Sequence, residues 1–269
     1  MILFDALHKY IGKSKTTGGG FYVDIGAFDP IDISVTKAFS ERGWRGINVE
    51  PLEKYFQALQ LDRPNDINVK AVISDQKREV QLFEAAAAST VEQNTLRNIK
   101  RNNAYTGKVT IQAMTVDQLL SKYCLPSQTI NFLKVDVEGH EEKVLLGMDF
   151  NKWRPMIIIL ESVVPWKGTP AYSNWEPILI KNSYIFAHSF RNNRYYVDSA
   201  FKDIKFRDMK DLMKDYRMFL ISEPQNKYRL SYMAVESVFA EHPKLKEFVL
   251  QIIRKLYPIA SKYFTSLIR

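Results

Sequence analysis

Apolar residues run along this chain in short bursts that end on a charged or small residue, and between the bursts they recur at helical spacing. The bursts at Phe21–Asp24, Gly46–Val49, Asn68–Ile73, Val80–Phe83, Thr129–Val135 and Met156–Leu160 predict strands. The segments Ile33–Arg42, Leu52–Leu61, Val116–Lys122 and His140–Leu146 predict helices. Strands that alternate with helices give an α/β fold with a mostly parallel central sheet and helices on both faces. Val80–Phe83 follows the third strand too closely for a helix to intervene, so it is expected to pair as a hairpin or an added edge strand. Ala85–Arg101 reads as a loop followed by an exposed polar helix or turn. Ile178–Ile185 and Arg194–Val197 supply a last helix and an antiparallel pair of strands. From Lys202 onward no strand pattern remains, and the chain reads as helical.

Three segments follow: residues 1–20 as a short amphipathic helix with a Gly-rich joint, 21–200 as the α/β domain, and 201–269 as a basic helical extension. The net charge of +8 is uneven, because residues 201–269 hold 14 Lys and Arg against 8 Asp and Glu. Such a tail suits an anionic membrane surface, a phosphorylated substrate or a solvated helix face. A single cysteine, Cys124, excludes an intramolecular disulfide and a cysteine zinc cluster. No signal-peptide pattern and no membrane-length apolar run occur, so a cytoplasmic protein is expected.

The first strand ends in Asp24, a turn at Ile25-Gly26-Ala27 follows, and the second strand ends in the acid Glu50. In a βαβ unit both residues meet at the carboxyl edge of the sheet, where Glu50 can accept hydrogen bonds from two ribose hydroxyls. The three-glycine dinucleotide fingerprint is broken by Ala27-Phe28-Asp29, which favours S-adenosylmethionine over a dinucleotide. A second acidic run, Asp136-Val137-Glu138-Gly139-His140-Glu141, closes the fourth major strand, and Glu161 closes the fifth. Asp136 and Glu161 are thus two carboxylates at neighbouring strand ends, able to bind a divalent cation such as Mg²⁺ or Mn²⁺ or to orient a substrate hydroxyl. His140 and His188 are the nearby imidazoles available as a general base or a third metal ligand. Glu141 and Glu142 suit the N-terminus of the following helix. After the fifth strand, the loop VVPWKGTPAYSNWEP resembles a substrate-binding insertion or lid.

Taken together, VDIGAFDP, SVTKAFSERGWRGINVEP, AVISD, LKVDVEGHE and the Glu161 strand end resemble the FkbM-type S-adenosylmethionine-dependent methyltransferases, over about Gly20 to Val197. WEPILIKNSYIFA and NNRYYV resemble the branch encoded in bacterial surface-polysaccharide clusters. His188-Ser189-Phe190-Arg191-Asn192 departs from the Asp-Gly-Leu that related proteins often carry there. The resemblance implies a Rossmann-like methyltransferase fold and methyl transfer to oxygen, commonly a sugar hydroxyl. It implies cofactor contacts at Asp24, Gly26, Glu50 and Asp75, with Ser34 and Asp136 beside them. Asp75, ending AVISD, would accept from the adenine amine.

In that reading Asp136, Glu161 and a histidine take up the hydroxyl proton. Trp166, Tyr172, Trp175 and Tyr195 would stack on sugar rings, and Arg194 and Lys167 would hold a nucleotide or lipid phosphate. A peptide or lipid head group as acceptor, or a non-catalytic scaffold, are the rival readings. A nucleic-acid substrate is not expected, because no Asn/Asp-Pro-Pro-Tyr-like motif follows the fourth strand. The last segment, Glu241 to Arg269, carries an apolar stripe with basic flanks, interrupted near Pro258. It is expected to pack on the domain, to form a homodimer, or to lie on an anionic membrane at its inner face.

Overall fold

The computed structural model describes residues 2–7, 19–32, 34–85, 89–165 and 167–207. The chain divides into two compact units, one of residues 9–205 and one that joins residues 1–8 to residues 206–269. In the second unit the described helix is α1 (Ile2–Leu7). The expected extension beyond residue 207, with the Glu241–Arg269 helix, lies outside the described residues.

The larger unit is built on seven strands: β1 (Phe21–Ile25), β2 (Arg45–Val49), β3 (Ile67–Val69), β7 (Phe132–Val135), β8 (Ile157–Glu161), β9 (Tyr184–Phe190) and β10 (Asn193–Asp198). Their order is β3-β2-β1-β7-β8-β10-β9. The first five run parallel, and β10 lies antiparallel between β8 and β9. Strand order reverses between β1 and β7, and in open α/β sheets ligands gather at the carboxyl ends of strands at such a switch point.

The sheet is filled from both sides because its strands alternate. Val23, Ile25, Leu133, Val135, Ile158 and Leu160 pack on residues of α5 (Val116–Tyr123) and α6 (Glu141–Leu146) in one buried cluster. On the other face, Tyr22 and Phe132 stack, and Phe39 of α2 (Lys37–Ser40) packs on Phe132 and Trp44. Helices thus cover both faces. The α5 start is fixed by a capping box, in which Thr115 and Gln118 each satisfy the other's backbone N–H.

Three expectations need correction. Asn68–Ile73 is not one strand: β3 joins the main sheet, while β4 (Val72–Ile73) belongs to a separate three-stranded sheet. The Val80–Phe83 burst lies within β5 (Arg78–Ala85), which pairs antiparallel with β6 (Tyr105–Met114) in that second sheet rather than on an edge of the first. Between them stands α4 (Gln93–Arg101). The long helix expected from Ile33 shrinks to α2, and ahead of it the Ser34 and Thr36 side chains are pinned to Arg63 and Asp24. The remaining helices, α3 (Glu53–Asp62) and α7 (Glu176–Lys181), lie where the apolar spacing puts them.

Candidate active site

At the switch point the turn after β1 is held by its neighbours on both sides. Gly26 N and Ala27 N donate to Val49 O at 3.0 and 3.1 Å, and Asp136 N donates to Ile25 O at 3.0 Å. Gly26 sits at φ +78°, and a Cβ there would lie 1.8 Å from the Asp136 carbonyl oxygen. The glycine is therefore required first by the approach of two strand ends, not by a ligand. Asp24 is 1% exposed, accepts from Thr36 Oγ1 at 2.8 Å and pairs with Lys134 Nζ at 3.1 Å. With both carboxylate oxygens turned inward, it supports the turn from beneath.

Ser34 accepts from Arg63 Nη2 at 2.6 Å and from Lys37 N at 3.3 Å. The buried Arg63 guanidinium also reaches Pro30 O and Thr36 Oγ1, so it shapes the whole loop between β1 and α2. Glu50 accepts from Phe28 N and Leu52 N, both at 2.9 Å, one on each carboxylate oxygen. It thus ties the β1 turn to the start of α3, and each oxygen keeps a second lone pair for a ligand hydroxyl. Burial pushes its carboxyl up to about 7.

Asp75 and His140 lie in a chain of hydrogen bonds. Glu92 Oε1 lies 2.5 Å from His140 Nδ1, His140 Nε2 lies 2.9 Å from Ser74 Oγ, and Ser74 Oγ donates to Asp75 Oδ1 at 3.0 Å. Asp75 also meets Lys143 at 3.1 Å and Arg78 at 3.3 Å. His140 is 4% exposed with both ring nitrogens engaged. That removes it from the set of general bases and metal ligands, because neither nitrogen is turned to a substrate. It joins α6 to the second sheet instead.

The acids after β7 and β8 come together. One carboxylate oxygen each from Asp136, Glu138 and Glu161 lie within 4.8 Å of one another. Glu138 was not among the carboxylates expected at this centre. It adopts φ +55°, which a non-glycine residue rarely holds without support. Support comes from Thr90 Oγ1 and Thr95 Oγ1, which donate to its carbonyl at 2.9 and 3.0 Å. Glu141 adds to it by accepting from Val137 N and Gly139 N, each at 3.2 Å. The insertion carrying α4 therefore clamps the acidic loop.

Burial, with Asp136 and Glu141 close by, pushes Glu138 up to about 8. Burial, with Asp136, Glu138 and Glu141 adding to it, pushes Glu161 up to about 10. Among the described residues Glu161 Oε2 has no hydrogen-bond partner. Beneath the cluster lies Lys134, 6% exposed, which meets Gly26 O at 3.0 Å, Asp24 at 3.1 Å and Asp136 at 3.5 Å.

The aromatic and cationic groups expected to face an acceptor are mostly part of the fold. Trp175 is 2% and Tyr195 8% exposed. The Arg194 guanidinium is sandwiched 3.9 Å from Tyr172 and 4.0 Å from Phe186 and donates to Glu176 at 2.8 Å, so it is not free to grip a phosphate. Lys167 is exposed, and Trp166 lies outside the described residues. His188 stands on β9 opposite Tyr195, which in turn pairs with Ile159, two residues before Glu161. Cys124 is half-buried, and burial pushes its thiol up to about 11, which disfavours the nucleophilic thiolate.

A family model described as the methyltransferase FkbM domain matches residues 24–192. That range contains the β1 turn, Glu50, the second sheet and the three clustered carboxylates. Among solved structures, the FkbM methyltransferase of Methylobacillus flagellatus KT is similar over 72% of this chain and 47% of its own, with 15% identity and a TM-score of 0.42. The chain thus spans about half the length of that protein. No curated protein matches the sequence.

Proposed function

The chain belongs to the FkbM methyltransferase family, and on that premise we propose that it transfers a methyl group from S-adenosylmethionine to a hydroxyl oxygen of a sugar. The acceptor is a bacterial surface glycan or its nucleotide- or lipid-linked precursor. The observation that carries this reading is the meeting, at one switch point, of an acceptor-only ribose site at Glu50 with three carboxylates at the ends of β7 and β8. The donor set suits the cofactor: Glu50 has lone pairs for hydroxyls, and an anionic rim suits a sulfonium cation. Ser34 and Asp75 are proposed as further contacts, at the methionine and adenine ends.

When bound, the cofactor supplies an electrophilic methyl carbon. The residues of this chain orient the acceptor and receive its proton. Transfer to the hydroxyl oxygen would leave the cofactor as a neutral thioether, so what this chain has to take up is the hydroxyl proton. The hydroxyl proton passes to the carboxylate of Asp136 or to His188, or to Glu161 once a bound cation has ionised it. A divalent cation held by Asp136, Glu161 and Glu138 would serve the same end by polarising the hydroxyl. Work at an inner membrane face, homodimer formation and cytoplasmic residence complete the proposal. Among the described residues no helix is long and apolar enough to cross a membrane.

Isothermal titration with S-adenosylmethionine, followed by transfer of labelled methyl to nucleotide-sugar and glycan pools, tests the reaction. Absence of cofactor binding would sink it. Glu50→Gln keeps the side-chain volume but turns an amide nitrogen toward a backbone N–H. Affinity for the cofactor is expected to fall about tenfold or more, as for loss of a charge-assisted bond worth about 1.5–3 kcal/mol. An unchanged dissociation constant would take the ribose away from Glu50. Exhaustive chelation followed by Mg²⁺ or Mn²⁺ is expected to abolish and then restore transfer. Full transfer by the metal-stripped protein would leave proton removal to side chains alone.

A further inference from the structure

We propose that Lys134 is a positioning residue that fixes the cofactor turn and the carboxylate of Asp136 relative to each other, beyond neutralising Asp24. The inference rests on the cofactor site proposed above. Lys134 Nζ donates to Gly26 O at 3.0 Å and forms ion pairs with Asp24 Oδ1 at 3.1 Å and Asp136 Oδ2 at 3.5 Å. Asp24 and Lys134 face each other in register across β1 and β7, the two strands that flank the switch point. The side chain is 8% exposed, so these partners replace water rather than compete with it.

A lysine that served the fold alone would need only Asp24. The other two contacts reach upward, to groups at the lip of the sheet. The Gly26 carbonyl belongs to the turn whose N–H bonds go to Val49, and the Asp136 N–H is anchored on Ile25. Each segment thus has a backbone tie to a neighbouring strand, and Lys134 supplies the side-chain tie that links one segment to the other. The Asp136 side chain is 33% exposed. Without the ammonium beneath it, water would compete for its carboxylate and the group would leave the place where it meets Glu138 and Glu161.

Three variants of the full chain separate positioning from charge balance: Asp24→Asn, Lys134→Met, and both together. Each is followed by thermal unfolding and by titration with S-adenosylmethionine. Lys134→Met alone strands a buried carboxylate and is expected to be strongly destabilised. The double variant removes both charges and should recover most of the melting temperature, since neutral replacements of a buried pair are often tolerated. Its affinity for the cofactor should nevertheless stay about tenfold or more below the parent, the scale of losing charge-assisted bonds. Asp24→Asn, which keeps the Gly26 and Asp136 contacts but leaves the ammonium with one counter-charge, should lose clearly less affinity than the double variant.

A double variant that binds like the parent would overturn the inference while leaving the cofactor site intact. So would Asp24→Asn that loses as much affinity as the double variant, or a double variant that stays unstable, since both place the requirement in the charge pair. A parent protein that binds no S-adenosylmethionine overturns the reading of the site and this inference with it.

Discussion

Gly26→Ala is expected to lower the melting temperature by about 4–20 °C and to abolish cofactor binding. Alanine at φ +78° costs about 1–2 kcal/mol in the left-handed region. Its methyl would also press on the Asp136 carbonyl, and overpacking of that kind costs about 1–3 kcal/mol more. The clash is backbone on backbone, so no side-chain rotation relieves it. Both partners are also tethered, Gly26 N to Val49 O and Asp136 N to Ile25 O.

For a protein of this size each kcal/mol shifts the melting temperature by about 2–4 °C, which gives the expected range. Relief would come from pushing β1 and β7 apart at their carboxyl ends, and that is where Glu50, Lys134 and Asp136 converge. Gly43→Ala is the matched control: φ is +82°, but nothing lies within 4 Å of the added Cβ. It should show the strain alone, with cofactor affinity unchanged. If Gly26→Ala melted and bound like Gly43→Ala, the close approach of the two strand ends would not govern the site.

The strand ends were legible because a buried parallel strand must stop on a polar residue where the ligand edge begins. Glu50, Asp136 and Glu161 announce themselves in that way, whereas β1 runs on to Ile25 and leaves Asp24 buried within the strand. What happens beneath the edge was not legible. Lys134 reads as a polar interruption of an apolar burst, and only the register of β1 against β7 gives it partners. A signal did exist: a charged residue inside a strand buried on both faces needs counter-charges, and Asp136 lies two residues on, on the same side. Glu138 could be found by the same period-two step from Asp136, but nothing in its identity forecasts a positive φ. That conformation depends on Thr90 and Thr95, which approach from an insertion distant in sequence.

His140 misled for a related reason. An imidazole beside a strand-end acid suits a general base, whereas Glu92 and Ser74 claim both its nitrogens from elements that no local pattern connects. In the insertion itself, β6 leaves a faint trace in the sequence, with Val109, Ile111 and Ala113 alternating with polar residues. Most of that strand is exposed, so its apolar signal is thin. Arg194 failed differently, as a cation read for a phosphate that the fold had already paired with Glu176.

The ligand-free protein is expected to lose stability as pH rises from about 5.5 to 8.5, the reverse of ordinary acid denaturation. Burial pushes Glu50 and Glu141 up to about 7, Glu138 up to about 8 and Glu161 up to about 10. In the unfolded chain each returns to the ordinary value near 4.5. Between those limits the folded protein holds more protons than the unfolded chain, so the free energy of unfolding falls with each step up in pH. Below that window the sign changes. The hydrogen bond from His140 holds Glu92 below its ordinary value, and the backbone N–H groups of Asp32 and Ile31 do the same for Asp29. Both contributions are lost as pH falls through the folded values.

A maximum near pH 5–6 follows from the two trends. The rise in pH should lower the melting temperature by about 5 °C or more, equivalent to roughly 1–2 kcal/mol. Ligands reverse the slope, because a sulfonium or a divalent cation prefers the ionised cluster and binds the folded state alone. Scanning calorimetry at pH 5.5, 7.0 and 8.5, with and without S-adenosylmethionine and Mg²⁺, reads both effects. A melting temperature that is flat or rises with pH in the free protein would show that these four carboxyls are already ionised in the fold. The anionic rim would then carry its charge before any ligand arrives.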